Sequence, residues 1–202
     1  MNLSPKSKIA LSLILSLTLV ATGCTAQWIS VALANLPVLT QMALNIATVV
    51  TTLQSGNQLS ASDAAAIQNI STQASQDLNL LHSLYNQYKS DPASGTLQEI
   101  QNAIADIDQD LPALLQAAHI SDPVLSSRIS AAVSLILTTV DTFAALIPQS
   151  SAPVTARMAR SMSSAKLSPP HAKELKKEWN QQVCAPSGKP AFDAAFSLCV
   201  IH

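Results

Sequence analysis

Four histidines are the side chains of this sequence best suited to hold a metal ion or haem, but their spacing suits neither. None belongs to an HExxH or ExxH pair, and no two stand four residues apart on a helix. Di-iron helical proteins need inward carboxylates with ExxH pairs, and covalently attached haem needs CxxCH. The sequence therefore predicts no metal site and no cofactor. The four histidines are His82, His119, His171 and His202.

The acidic run DIDQD at residues 106–110 matches the first positions of a calcium-binding loop. That loop also needs glycine at position six and glutamate at position twelve, where this chain has Leu111 and Ala117. GxSxG, GxxxxGK and GxGxxG motifs are absent from the sequence. Asp141 is a lone carboxylate among apolar residues, with no base or nucleophile near it in the sequence. We therefore expect no catalytic residues, and the chain is not predicted to be an enzyme.

The first 23 residues have the pattern of a secretory signal peptide. Lys6 and Lys8 give a positive start, Ile9–Val20 is an uninterrupted run of apolar and hydroxyl side chains, and small residues follow. The run is shorter than the stretch of about 20 residues that a membrane-spanning helix needs. Export followed by cleavage is therefore favoured over a retained span.

The signal-like segment ends in the sequence LVATGC at residues 19–24. This sequence resembles the lipobox of bacterial lipoproteins. The resemblance covers residues 1–24 only and departs from the usual pattern in having alanine, not leucine, three places before the cysteine. It implies that Cys24 is acylated, becomes the new N-terminus and anchors the chain to a membrane of the cell envelope, facing the periplasm or the exterior. The residue after the cysteine is Thr25 and not aspartate, which resembles the pattern of Gram-negative lipoproteins that reach the outer membrane. A plain secretory signal or an uncleaved anchor is the alternative.

The other two cysteines form an even pair once Cys24 carries the lipid. Exported proteins meet an oxidising compartment, so a disulfide between Cys184 and Cys199 is predicted. Two free thiols are the alternative. Neither cysteine has the CxxC partner that would indicate redox chemistry.

Four stretches within residues 24–147 carry apolar side chains at steps of three and four, the spacing of an amphipathic helix. The composition agrees, with 48% hydrophobic residues, 3% aromatic residues and four glycines. Ser60 with Asp63 and Thr96 with Glu99 are predicted capping boxes. The predicted limits are Trp28 to Gly56, Ser60 to Pro92, Thr96 to Ala118 with a kink or break at Pro112, and Asp122 to Pro148.

Apolar steps that average 3.5 residues suit helices crossing at about 20°, and short connections favour antiparallel neighbours. We therefore predict an all-α fold, an up-down-up-down four-helix bundle over residues 24–147, with a partly disordered C-terminal tail. Because Trp28–Leu53 carries no charged residue, a multi-pass membrane protein is the alternative. A polar stripe through Gln41, Asn45 and Thr48 argues against that span.

The charge of the chain changes sign after Ile147. Residues 24–147 contain two basic and nine acidic residues, whereas residues 148–202 contain seven basic and three acidic residues. Residues 148–170 have the Ser- and Pro-rich composition of a linker, and residues 171–202 are predicted to hold a short basic helix and the disulfide-closed segment. A basic tail indicates contact with an anionic surface. The predicted contact residues are Arg157, Arg160, Lys173, Lys176 and Lys177.

These features predict a lipid-anchored envelope protein with a binding or scaffolding role. Its partner, beyond the membrane held through Cys24, is expected to be an envelope protein or an anionic polymer such as peptidoglycan. The low aromatic content argues against nucleic acid, since single strands bind by stacking on aromatic rings. The alternative is a carrier, in which small side chains along the helix seams leave room for a small apolar ligand.

Overall fold

The computed structural model describes the backbone of residues 5–147 and 170–202, and side chains from residue 27 onward within those ranges. The described residues form helices and no strand, which confirms the predicted all-α class. The helices are α1 (Pro5–Ser55), α2 (Ala61–Ser90), α3 (Ser94–Ala117), α4 (Pro123–Leu146), α5 (Ala172–Gln182) and α6 (Pro190–Ser197).

The first helix begins at Pro5 and not at Trp28, so it runs without a break through the predicted signal segment. Gly23 is a poor helix former, but no proline lies between Pro5 and Pro37 to interrupt the helix. The predicted end at Ser55 is confirmed. Gly56 extends the last turn, since its N–H donates to the carbonyl of Thr52. The left-handed backbone conformation that follows the helix is at Asn57 (φ 53°).

The start of α4 has the predicted cap. The Asp122 carboxylate accepts the backbone N–H groups of Val124 and Leu125 at 2.9 and 3.0 Å. Pro123 occupies the first helical position, where a missing N–H leaves no helical bond unmade. The sequence signal and the local geometry therefore agree at this point.

Only half of the predicted capping box at α2 is present. Ser60 Oγ accepts the N–H of Asp63 at 3.1 Å, as expected. The Asp63 carboxylate does not reach back to the cap, and instead accepts from the N–H and the hydroxyl of Ser121, both at 3.4 Å. It thereby joins the start of α2 to the connection that precedes α4.

The predicted start and capping box of α3 are wrong, and Pro112 does not break the helix. The helix begins at Ser94, so Thr96 lies inside its first turn, is buried, and accepts a hydrogen bond from Gln87 at 3.4 Å. The hydroxyl is thus used by α2 and not as a cap. The helix also continues past Pro112 to Ala117, because one proline removes a single hydrogen bond and the apolar seam on both sides keeps its packing.

The core lies between α1, α2, α3 and α4. The ring of Trp28, early in α1, packs against the ring of Tyr85 near the end of α2. Further along α1, the carbonyl of Ala43 accepts a hydrogen bond from Ser71 in the first half of α2. These two helices are therefore antiparallel. Tyr85 also meets Phe143 near the end of α4. The remaining core is aliphatic, and its alanines, which include Ala32 and Ala43, are completely buried.

Residues 170–202 form a compact segment against α1 and α4, and the short basic helix expected from residue 171 onward lies at Ala172–Gln182. Its second helix, α6, was not expected from the sequence. Phe192 and Phe196 are buried, whereas Leu198 and Val200 are exposed. The predicted linker and its residues Arg157 and Arg160 lie outside the described residues.

Two helices are long and apolar enough to cross a membrane by length and composition, Gln27–Ser55 within α1 and Pro123–Leu146. Both also supply a face to the core, as the central helix of a water-soluble protein does. Membrane association is compatible with either helix.

Candidate functional site

The C-terminal segment contains the helix on which the predicted contact lysines lie. α5 is amphipathic: Leu175 and Trp179 are buried, and the lysines occupy the other side. At its start the backbone N–H of His171 donates to the Glu174 carboxylate at 2.9 Å, which fixes the first turn. The helix therefore presents its basic side in a defined orientation.

A disulfide closes the segment. Cys184 follows α5, Cys199 follows α6, and their sulfur atoms are bonded. The carbonyl oxygen of Cys199 accepts the indole N–H of Trp179 at 2.8 Å and the side-chain amide of Asn45 at 3.1 Å. These contacts hold residues 199–202 alongside α5 and against α1.

The residues after Cys199 pair with α5 side chains. The Asn180 amide group donates to the carbonyl of Ile201 at 2.9 Å and accepts its N–H at 3.0 Å. Lys176 Nζ donates to the backbone oxygen of His202 at 2.6 Å. The chain here is held in an extended course parallel to the basic side of the helix.

Between these two elements lies an open cleft of about 590 Å³, which we call the lysine cleft. Its lining includes all three described contact lysines, Lys173, Lys176 and Lys177, together with Ile201 and His202. Lys173 and Lys177 are exposed and, within the described residues, make no ion pair. The structure thus brings together every predicted contact residue that it describes, although the cleft itself was not foreseen.

A second cleft, of about 430 Å³, lies where the first turns of α4 meet residues 182–187. We call it the arginine cleft, because Arg128 in its lining is a buried charge with only 7% of its surface exposed. Arg128 Nη2 donates to the carbonyl of Ala185, and its guanidinium stacks on the ring of Phe196 at 4.1 Å. Sequence reasoning missed this residue, since both partners lie more than fifty positions away.

Burial lowers the pKa of Arg128, and the nearby Asp193 carboxylate opposes that shift. The pKa of Asp193 is lowered first by the N–H and hydroxyl of Ser187, and further by the N–H of Gly188. These bonds, of 2.6, 2.7 and 3.1 Å, keep its oxygens on the 187–188 turn. Arg128 therefore remains charged, with a carboxylate nearby but not hydrogen-bonded to it.

A surface ion pair also joins the segment to α4. Lys189 Nζ lies 2.6 Å from the Asp122 carboxylate that caps the helix. Burial alone raises the pKa of Asp122, but the bond to Lys189 and the N–H groups of Leu125 and Val124 lower it overall. One carboxylate thus links the cap of α4 to the C-terminal segment.

The acidic residues on α3 and α4 include one unfavourable pair. Burial raises the pKa of Asp108 to about 6, and the adjacent Asp141 carboxylate adds to the shift. Asp141, expected to be partly buried, is exposed. Among the described residues no three histidine, cysteine or acidic side chains come close enough to hold a metal ion.

Several polar atoms in the core lack a partner. Trp28 Nε1, Asn35 Oδ1 and the Tyr85 hydroxyl are buried without a hydrogen bond in the described part of the chain. Burial raises the pKa of Tyr85 far above its usual range. The two clefts above open at the surface and not within the helix seams, so a carrier role for the core stays a hypothesis.

No protein-family model matches the sequence, and no curated protein or solved structure matches the chain at a significant level.

Proposed function

We propose that this chain is a lipid-anchored protein of the bacterial cell envelope that holds an anionic wall polymer through the lysine cleft. The observation that carries the proposal is the convergence of Lys173, Lys176 and Lys177 on one cleft. A polymer bearing carboxylate or phosphate groups suits such a site, because neighbouring cations act together on a repeated charge. Ile201, which is partly buried, adds an apolar side chain to the lining of the cleft.

The position of the cleft supports a partner away from the anchoring membrane. Asn45, which holds Cys199, lies 21 residues after Cys24 on the same helix. At 1.5 Å per residue the two positions are about 30 Å apart along α1. With α1 upright on the membrane, a lipid on Cys24 places the contact between Asn45 and Cys199 about 30 Å from the lipid.

We further propose that α1–α4 form the predicted up-down-up-down four-helix bundle and act as a rigid spacer. Supporting this arrangement, α1 packs on α2 and α4, α2 on α3, and α3 on α4. The hydrogen bonds of Gln87 with Thr96 and of Asp63 with Ser121, between neighbouring helix ends, also support this arrangement. The C-terminal segment is then the binding part.

The test is retention of the full-length protein on purified sacculi. Lys177→Glu reverses one charge in the cleft, and Lys89→Glu makes the same change at the exposed end of α2. With about 1 kcal/mol per basic residue at an anionic surface, we expect Lys177→Glu to weaken retention by about tenfold or more and Lys89→Glu to leave it unchanged.

Equal retention of the two variants contradicts a role for the lysine cleft. Retention that survives digestion of the glycan strands points to an envelope protein as the partner. Added salt is expected to weaken the wild-type interaction, because exposed charges are screened within about 10 Å at 0.1 M.

A further inference from the structure

The guanidinium of Arg128 has an unused donor beside an open cleft. Its Nη2 donates to Ala185 and its plane lies on Phe196, yet Nη1 has no hydrogen-bond partner among the described residues. Buried polar groups in folded proteins are nearly always paired, and an orphan needs an explanation such as an absent ligand. From this we infer that the arginine cleft binds a small carboxylate.

Two further donors line the same cleft. Ser127 of α4 and Gln182 at the end of α5 are exposed, and neither side chain has a hydrogen-bond partner in the described part of the chain. The cleft volume of about 430 Å³ falls within the range of about 300–1,000 Å³ that is usual for small-ligand sites. An oxyanion placed there meets a cation and two neutral donors.

The surrounding charges favour a carboxylate over a phosphate. The Asp193 carboxylate lies close enough to raise the pKa of Arg128. The Asp122 carboxylate lies at the start of α4, where it accepts a backbone N–H of the first turn and pairs with Lys189. A dianion is repelled by these carboxylates more strongly than a monoanion. The planar guanidinium also matches the geometry of a carboxylate.

Nη1 is itself buried, so a ligand in the cleft reaches it only when a lining side chain moves. Ser127 and Gln182 are exposed and unpaired, so they shift without breaking a contact of the helices. Asp193 does not block the site, because its oxygens are held by Ser187 and Gly188. The backbone around the cleft is fixed by the disulfide and by the cap of α4.

The inference is independent of the proposed function, since no residue lines both clefts. The source of the carboxylate is either a free small acid or the end of a peptide. Acetate and N-acetylglycylglycine represent the two sources, N-acetylglycylglycinamide is the uncharged control, and inorganic phosphate is the dianion control.

The experiment is a titration of the ¹⁵N-labelled full-length protein in detergent micelles, followed at the Nε–H resonance of Arg128. The chain has only three arginines, and Arg128→Lys assigns the signal. We expect a saturable shift with acetate or the peptide acid, a much smaller one with phosphate, and none with the amide. Tighter binding of the peptide acid than of acetate assigns the site to peptide ends, and the reverse to small acids.

Blocking variants separate binding from folding. Ser127→Leu and Gln182→Leu fill the cleft and leave Arg128 itself unmutated. We expect each variant to bind the carboxylate at least tenfold more weakly and to keep the melting temperature of the wild type. Gln181→Leu, next to Gln182 but lining the lysine cleft, is the matched control and is expected to bind as the wild type does. A shift that fails to saturate, that the amide reproduces, or that survives Gln182→Leu overturns the inference.

Discussion

The indole N–H of Trp179 lies 2.8 Å from the carbonyl oxygen of Cys199, in a hydrogen bond shielded from solvent. The same oxygen accepts the side-chain amide of Asn45, so one carbonyl joins α5, the disulfide and α1. Its position determines where residues 199–202 lie and hence the far wall of the lysine cleft. The shape of the candidate site therefore depends on a contact buried beneath it.

Trp179→Phe removes the indole N–H and leaves an aromatic ring in the core. Trp28→Phe is the matched control, because Trp28 is also buried but its Nε1 has no partner in the described residues. Since a hydrogen bond contributes about 1 kcal/mol net, we expect Trp179→Phe to lower the free energy of unfolding by about that much more than Trp28→Phe. Urea denaturation measures both, and equal losses contradict the role given to this bond.

Replacing both Cys184 and Cys199 by alanine opens a 15-residue loop. The loop-entropy relation gives a loss of about 3 kcal/mol for the segment. We also expect weaker retention on sacculi, because Ile201 and His202 follow directly after Cys199. Retention equal to that of the wild type, with the segment shown to be loosened by hydrogen exchange, contradicts the dependence of the lysine cleft on this bridge.

Asp122→Ala removes the cap of α4 together with the ion pair to Lys189. Loss of an N-cap costs about 1 kcal/mol in addition to the lost ion pair. Lys189→Ala keeps the cap and removes the partly exposed ion pair together with the contact of Nζ with the Phe192 ring at 5.0 Å, each expected to cost under about 1 kcal/mol. Thermal unfolding of the two variants at neutral pH measures the difference. A larger loss of stability in Lys189→Ala than in Asp122→Ala contradicts the conclusion that the cap of α4 contributes more than the ion pair.

Asp108 makes stability depend on pH. Its pKa is about 6 in the folded chain against an ordinary value of 3.8, so between these values the folded state binds more protons than the unfolded state. The free energy of unfolding therefore falls as pH rises through this interval, and the cost is fully present above pH about 6. Because the group is only partly buried and solvent screens its charge, the cost is expected to stay under about 1 kcal/mol.

Asp108→Asn removes that cost. We expect the variant to melt above the wild type at pH 7.5 and to lose the advantage at pH 4, where the wild-type carboxyl is protonated when folded. Asp91→Asn, at an exposed aspartate after α2, is the control for a general effect of charge. A melting difference for Asp108→Asn that is the same at both pH values contradicts the pairing with Asp141.

Much of the helical pattern was predictable, because caps and seams are local signals. Ser60 and Asp122 mark the starts of α2 and α4 through hydrogen bonds to residues two or three positions on. Thr96 shows where this reasoning fails: a side chain from another helix, Gln87, binds the hydroxyl that a local pattern assigns to a cap. At Pro112 the helix does not break, since packing on both sides outweighs the loss of one hydrogen bond.

The site was predictable only in part. The lysines of α5 follow from charge along the sequence, but the cleft they line needs Ile201 and His202, which the disulfide brings near. α6 is a helix of eight residues, too short for its apolar spacing to show. Arg128 gave no sequence signal at all, because its burial is created by Ala185 and Phe196 from the distant C-terminal segment.

The central proposal is the lipid anchor on Cys24, and intact mass with palmitate labelling tests it most directly. We expect the wild type to carry acyl mass and label, and Cys24→Ser to carry neither while keeping its first 23 residues. An unlabelled wild type contradicts the proposal. The helix Gln27–Ser55 then becomes the candidate for membrane attachment, and the distance from the lipid to the lysine cleft no longer applies.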